Sequence, residues 1–288
     1  MALHIRQVVS DGISLAASRN GAVLAFLFLV VETAGLLLFL AAGTLYVPVD
    51  IGTGVVPGSD IEAGGELPEI ASSIAIMLTS LFTSVITIPL SIVAIRTFVG
   101  GRTESIPDAY IFDRIGRATL SGLIANLLYG FMLFFVPFVA GIGLLLSIGA
   151  IGGIGGIPDQ YAGIVFVLVA FVGLLATLFF LIVIWLHFLF LLHEISVRHR
   201  GVLGAFKGSW ATVRGSRIKL GLLGIVLVTM RFTAGWFGVP PADGHWTVFQ
   251  TVTTPVSIVV SAIVGVFVTA VFARAYRSLR PDVTGDFL

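Results

Sequence analysis

HEISVRHRGVLGAFKGSWATVRGSRIK, residues 193–219, is the stretch on which the fold turns. It holds six of the sixteen Lys and Arg residues and lies between two long apolar segments. A polar, basic stretch in that setting reads as a loop at a membrane surface. Taking it as cytoplasmic orients every other segment.

Composition sets the class. Hydrophobic residues make up 57% of the 288 and charged residues only 11%, with a mean hydropathy of +1.09. Soluble domains carry about 25% charged residues, so one large water-soluble core is excluded. Several apolar runs exceed the ~18 residues that mark a membrane-spanning helix. A net charge of +1 offers no broad basic field of the kind nucleic acid requires. The absence of cysteine removes disulfides, thiolate metal sites and a Cys nucleophile.

Outward from 193–219, the expected spans are 21–46, 70–95, 118–157, 163–192, 220–239 and 248–273. The third is too long for a single crossing of a ~30 Å hydrocarbon core, so Pro137 and Gly141, Gly143 and Gly149 are expected to bend or end it. Residues 2–18 place Ile5, Val9, Ile13 and Ala16 on one helical stripe and polar residues opposite, the pattern of an interfacial amphipathic helix. Residues 107–117 read as a short helix with Pro107 at its start. Between 48 and 69 lies a Gly- and Pro-rich loop with five acids and no base.

Charge sets the orientation. With both termini, the loop of residues 96–117 and residues 193–219 on one side, that side holds fifteen of the sixteen basic residues and seven acids. The opposite loops hold Asp50, Asp60, Glu62, Glu66, Glu69, Asp159 and Asp243 and no base. The positive-inside rule places the basic side in the cytoplasm. Tyr46, Tyr161, Trp236 and Trp246 fall at the outer boundary and Tyr110, Trp210 and Tyr276 at the inner one. The expectation is an all-α, six-span transmembrane bundle in the cell membrane, a single integral domain over 1–288, with cytoplasmic interfacial helices.

Arg19, Arg117 and Arg217 each stand just before a span, 98 and 100 residues apart, after a short helical segment. The chain therefore reads as three hairpin units, roughly 1–98, 99–196 and 197–288. In the third, Val202, Phe206, Trp210 and Val213 repeat the stripe of the first, with Arg200, Lys207 and Arg214 opposite. Ordinary positive-inside bias produces the same boundary arginines, so both readings stand at this level.

The pattern Glu194, Gly201, Ala205-Phe206, Ser209-Trp210 and Arg214-Gly215, with Gly12-Ile13-Ser14 and Arg19-Asn20 before it, resembles the membrane domain of glycerophosphoryl diester phosphodiesterases. Related polytopic families, many of them haloarchaeal, share it. The resemblance implies a membrane domain; the chemistry of that group sits in a separate soluble barrel of carboxylates and metal. Only eight residues follow Arg280, so the activity is not expected here.

Two ionisable residues fall at mid-membrane depth. Glu32 is thirteen residues past Arg19 and Arg231 twelve past Lys219, roughly 18–20 Å along their helices. An isolated ion there costs about 2.5–3.5 kcal/mol, which pairing relieves. A Glu32–Arg231 ion pair is expected, either as a substrate or proton site or as a structural clamp. Asn126, Tyr129 and His187 form a second polar level nearer the basic side. His193-Glu194 lacks the histidine at 197 that H-E-x-x-H zinc binding needs, where Val197 stands. The glycine run at 149–156 is followed by no Gly-Lys-Ser/Thr, so it is no phosphate cradle. No motif calls for a cofactor, a metal or a catalytic residue. Arg200, Lys207, Arg214 and Arg217 are the expected contacts to anionic lipid headgroups. The expected role is non-enzymatic: an accessory or scaffold component with membrane lipids, and a membrane or soluble protein at its cytoplasmic face, as partners. A permease using the Glu32–Arg231 level is the alternative.

Overall fold

Long runs of Leu, Val, Ile, Phe and Ala with few breakers satisfy their backbone polar groups internally, as a lipid environment demands. In the computed structural model, residues 4–44, 66–153, 159–236 and 248–284 are described, and every element among them is helical. In chain order these are α1 (Ile5–Ala16), α2 (Arg19–Thr44), α3 (Glu66–Gly100), α4 (Asp108–Phe112) and α5 (Ile115–Gly153). Then follow α6 (Asp159–His187), α7 (Leu191–Arg198), α8 (Val202–Val213), α9 (Arg217–Trp236) and α10 (Val248–Leu279), closed by a 3-10 turn, Pro281–Thr284.

Five segments are long and apolar enough to cross a membrane: Arg19–Phe39, Met77–Gly100, Ile115–Leu144, Gly163–Arg198 and Thr254–Leu279. The protein is a multi-pass membrane protein with an all-α helical bundle. The remaining long helix, α9, packs beside α10 at the expected place for a span, but Arg217, Lys219 and Arg231 dilute its hydropathy. Large apolar side chains point outward along the spans, Leu127, Phe134, Phe166 and Phe179 among them, as they do where the solvent is hydrocarbon.

Hairpins α2–α3, α5–α6 and α9–α10 close into a ring through contacts of α3 with α5, α6 with α9 and α10 with α2. Two of the short helices obey the same order. Helix α1 packs on α10 and α4 on α3, each on the last helix of the hairpin before it in the ring, whereas α8 packs chiefly on α7, which continues α6, and touches α5 and α6 alike. Buried side chains gather at the end that carries the short helices and the basic residues. Phe98, Phe190, Leu220, Val271 and Tyr276 lie in its main cluster.

Several expectations change in detail. Helix α5 runs unbroken for 39 residues through Pro137, about 58 Å, so Pro137 does not end it. Neighbouring helices and lipid tolerate the one lost backbone bond. Helix α1 does not lie apart on a surface. It docks on α10 with Val8, Gly12 and Leu15 buried and Ile13 exposed. Gly12 sets this face: a Cβ there would come within 2.9 Å of the Val271 Cα, so only glycine permits the approach. Tyr110 and Tyr276 are buried inside the basic end and form no belt, whereas Trp210 and Tyr161 are exposed. Of the expected loop 48–69, residues 66–69 belong to α3, and the rest lies outside the described residues, as do the glycine run beyond Gly153 and the turn around Trp246.

Candidate functional site

The structure brings Glu32 and Arg231 together. Arg231 Nη2 lies 3.2 Å from Glu32 Oε1, and Nη1 donates to the Ser261 carbonyl at 3.0 Å. Ser261 Oγ is 3.5 Å from the same carboxylate oxygen. The guanidinium reaches from α9 across α10 to α2 over Gly265, where a Cβ would collide with Arg231 Nη1. Two polar groups of opposite charge thus tie three helices at one depth.

On its other side Glu32 opens onto a cleft of about 570 Å³ between α2, α3 and α5. Thr79, Thr83, Thr87 and Ser91 descend the α3 wall at four-residue steps, joined by Ser84 and, from α5, Asn126. The hydroxyls of Thr83 and Thr87 each donate to the carbonyl four residues back at 2.8 Å, leaving oxygen lone pairs to accept from a guest. This ladder was missed in sequence, although hydroxyls at i, i+4, i+8 and i+12 in a charge-free span are a readable signal. The second polar level divides. Asn126 belongs to the cleft, whereas His187 is buried with its ring 3.8 Å from that of Trp210 and its Nδ1 2.7 Å from the Val183 carbonyl. Tyr129 is half-buried, packing on the second core cluster and meeting the edge of Phe188.

At the basic end a second carboxylate organises the packing. Glu194 is fully buried on α7, beside the break that separates α6 from α7. Tyr276 Oη donates to its Oε1 at 3.2 Å, and the Thr212 hydroxyl is equally close. Arg200 Nη1 stands 3.4 Å from Oε2 and Arg280 Nη2 3.8 Å from Oε1. Arg280 also donates through Nε to Thr212 Oγ1 at 2.9 Å. Gly208 passes directly over the cluster: a Cβ there would strike Glu194 Oε2 and Arg200 Nη1. Ser209 locks the helix break, donating to the His187 carbonyl at 2.7 Å and accepting from the Phe190 amide at 3.2 Å. His193 packs its ring beside Phe190 and Tyr276, and neither ring nitrogen has a hydrogen-bond partner. Among the described residues no cluster of His, Cys, Asp and Glu of metal-binding size occurs.

The family described as a domain of unknown function, DUF7847, matches residues 3–279, nearly the whole chain. The chain belongs to that family. No curated protein and no solved structure matches it.

In this DUF7847 chain the basic residues fall into two sets. Arg96 is internal, donating to the carbonyls of Ser196, Tyr110 and Asp113 at 2.9–3.1 Å. Arg198 pairs with Asp282 at 3.2 Å and Arg277 donates to the Val99 carbonyl at 3.3 Å. The second set is outward. Lys207, Arg214 and Arg217 are exposed, and Arg200 is about one-third exposed because half of its role is behind it, at Glu194. On α8 the docking face consists of Ala205, Gly208, Ser209 and Thr212, and the outward stripe is Leu203, Lys207, Trp210 and Arg214. Val213, expected on an apolar membrane stripe, is buried in the core instead.

Proposed function

We propose that this protein is a non-enzymatic component of the cell membrane, with both termini in the cytoplasm, whose cytoplasmic face grips anionic lipid headgroups. It serves there as an accessory or scaffold element. The outward stripe of α8 carries this reading. Leu203 and Trp210 alternate along it with Lys207 and Arg214, and Arg217 with exposed Ile218 continues the pattern into α9. Apolar anchors interleaved with cations are the chemistry of a membrane interface facing anionic lipid. The Glu194 cluster fixes α8 rigidly, so the stripe is presented as a surface rather than as a mobile arm.

The test is lipid enrichment around the purified protein in mixed phosphatidylglycerol and phosphatidylcholine bilayers. Each exposed cation near an anionic surface contributes about 1 kcal/mol. The triple variant Lys207→Gln, Arg214→Gln, Arg217→Gln should therefore lose most of its phosphatidylglycerol preference. An unchanged preference would sink the reading.

The cleft at Glu32 favours a second reading, transport. A carboxylate and a ladder of hydroxyls along one wall suit a proton or a polar solute. In proteoliposomes with an internal pH dye, proton flux should exceed that of empty vesicles and fall in Glu32→Gln. Equal leak in all three preparations would remove this reading and leave the pair as a clamp.

A further inference from the structure

Two chain breaks at the basic end face one another. Between α4 and α5 the backbone turns at Arg114, and between α7 and α8 it turns at His199, each with φ at +49°. Neither is glycine, and side chains rarely adopt this left-handed region. Such outliers persist where the surroundings enforce them and gather at functional sites. Here they bring Arg114, Arg117, His199 and Arg200 around one shallow cleft floored by Ala118, Ser121 and Ile195.

Charge in that cleft is one-sided. Arg114 and Arg117 are exposed, and Arg117 has no ion-pair partner among the described residues. Arg200 is held from behind by Glu194, which fixes its guanidinium at the cleft edge. Besides Glu194 behind Arg200, one acid faces the group. Asp113 Oδ2 is 3.6 Å from His199 Nε2, and its Oδ1 is 4.0 Å from Arg114 Nε. Half-exposed Asp113, with buried Glu194 that Arg200 shares with Arg280, thus stands against three guanidinium groups and an imidazole. The burial of His199 and the charges of Arg96, Arg114 and Arg117 lower its pKa, with Asp113 opposing them. The group is short of negative charge.

We propose that one oxygen of a phosphate group enters this cleft, whose free space of about 10 Å³ has room for a single water-sized group, and that Asp113 is the internal anion the phosphate displaces. Planar guanidiniums offer paired donors to tetrahedral oxyanions, and the Ser121 hydroxyl on the floor adds a donor. The cleft sits where α5 enters its apolar run, at the depth of lipid headgroups. A lipid phosphate and a free phosphorylated solute share this chemistry. The inference deepens the headgroup reading above and rests on it only for the source of the phosphate, since Lys207, Arg214 and Arg217 form a separate surface.

The experiment uses the full chain in phosphatidylcholine nanodiscs, following the His199 imidazole resonance by NMR, assigned by its loss in His199→Gln. Inorganic phosphate is titrated against chloride at matched ionic strength, and a parallel sample contains phosphatidic acid in place of part of the phosphatidylcholine. Phosphate or phosphatidic acid should shift the resonance and raise the His199 pKa. A response to the lipid alone assigns the site to headgroups, and one to both assigns it to phosphate of either source. Arg117→Gln should weaken the response at least tenfold. Asp113→Asn should strengthen it several-fold, because removing a competitor helps only if the site binds an anion. No shift with either probe, or weaker binding in Asp113→Asn, overturns the proposal. Loss of the Lys207/Arg214/Arg217 lipid preference with the His199 response intact would separate the two surfaces.

Discussion

At the scale of single residues, Glu194 is the side chain on which the basic end depends. A buried carboxylate with two guanidiniums, a phenol and a hydroxyl around it is stable only while all partners remain. Removing one member of a buried ion pair costs about 3–5 kcal/mol, because the other charge is left without compensation. Glu194→Ala should lower the melting temperature in detergent markedly, and Glu194→Gln less so, since the amide keeps the volume and one acceptor. If Glu194→Ala melts with the wild type, the cluster is not structural. His199 makes a pH prediction. Its folded pKa lies below its ordinary value of 6.5, chiefly through burial. The unfolded chain therefore takes up the proton first as pH falls. The stability His199 contributes is complete above about pH 6.5 and is lost as pH falls through that value towards the lower folded pKa. In phosphate-free buffer, His199→Gln should lose less thermal stability than wild type between about pH 7 and pH 5. Equal losses would show that His199 does not sense the neighbouring guanidiniums. The meeting of Glu32 with Arg231 was readable from counting alone, since both stand twelve or thirteen residues past a boundary cation. The Glu194 cluster was not readable. An acid at the end of a span looks like an interface residue until the tail brings in Tyr276 and Arg280 from 82 and 86 residues away.

Among the elements, the short helices separate what periodicity tells from what packing decides. Among the described residues, long apolar runs give six long helices with ends within about seven residues of the expected ones, five of them apolar enough to cross a membrane. Helix α5 continues through Pro137 because an apolar run in lipid has no better alternative than to remain helical. On helix α1 the expected stripe holds for Ile5, Val9 and Ala16, which pack on the core, and fails at exposed Ile13. A hydrophobic stripe weights Ile5, Val9, Ile13 and Ala16, but the docking surface is built around Gly12, which carries no hydrophobic signal. Close packing against Val271 needs the missing side chain more than it needs another apolar one. The same holds on α8, where Gly208 and Ser209 face inward and the bulky Leu203 and Trp210 face outward. Gly12→Val should lift α1 from α10, since overpacking a tight contact costs roughly 1–3 kcal/mol. Limited proteolysis should then cut within residues 4–18 at protease levels that leave the wild type intact. Resistance equal to wild type would mean the contact with Val271 does not hold the helix.

For the molecule as a whole, the ring of contacts and the distribution of charge describe one architecture. Each hairpin is preceded by a short helix, α1 resting on α10, α4 on α3 and α8 on α7, so these helices share one end of the bundle. That end also holds fifteen of sixteen basic residues, and the burial of Tyr276, Phe98 and Phe190 makes it the best packed part of the described residues. Placing it in the cytoplasm therefore commits the loops to definite sides. The sequence contains no cysteine, so single cysteines can be introduced without background. In intact cells, a membrane-impermeant maleimide should label cysteines at positions 60 and 243, from the first and third hairpins, without permeabilisation. Cysteines at positions 104, 203 and 284 should label only after the membrane is opened. Position 203 is the most demanding, because Leu203 is three-quarters exposed and its protection can come only from the bilayer or the cytoplasmic location. Labelling of 203 in intact cells alongside 104 would invert the orientation and place the basic stripe outside. Labelling of 104 and 203 on opposite sides would break the ring itself, because α4 and α8 would no longer share an end.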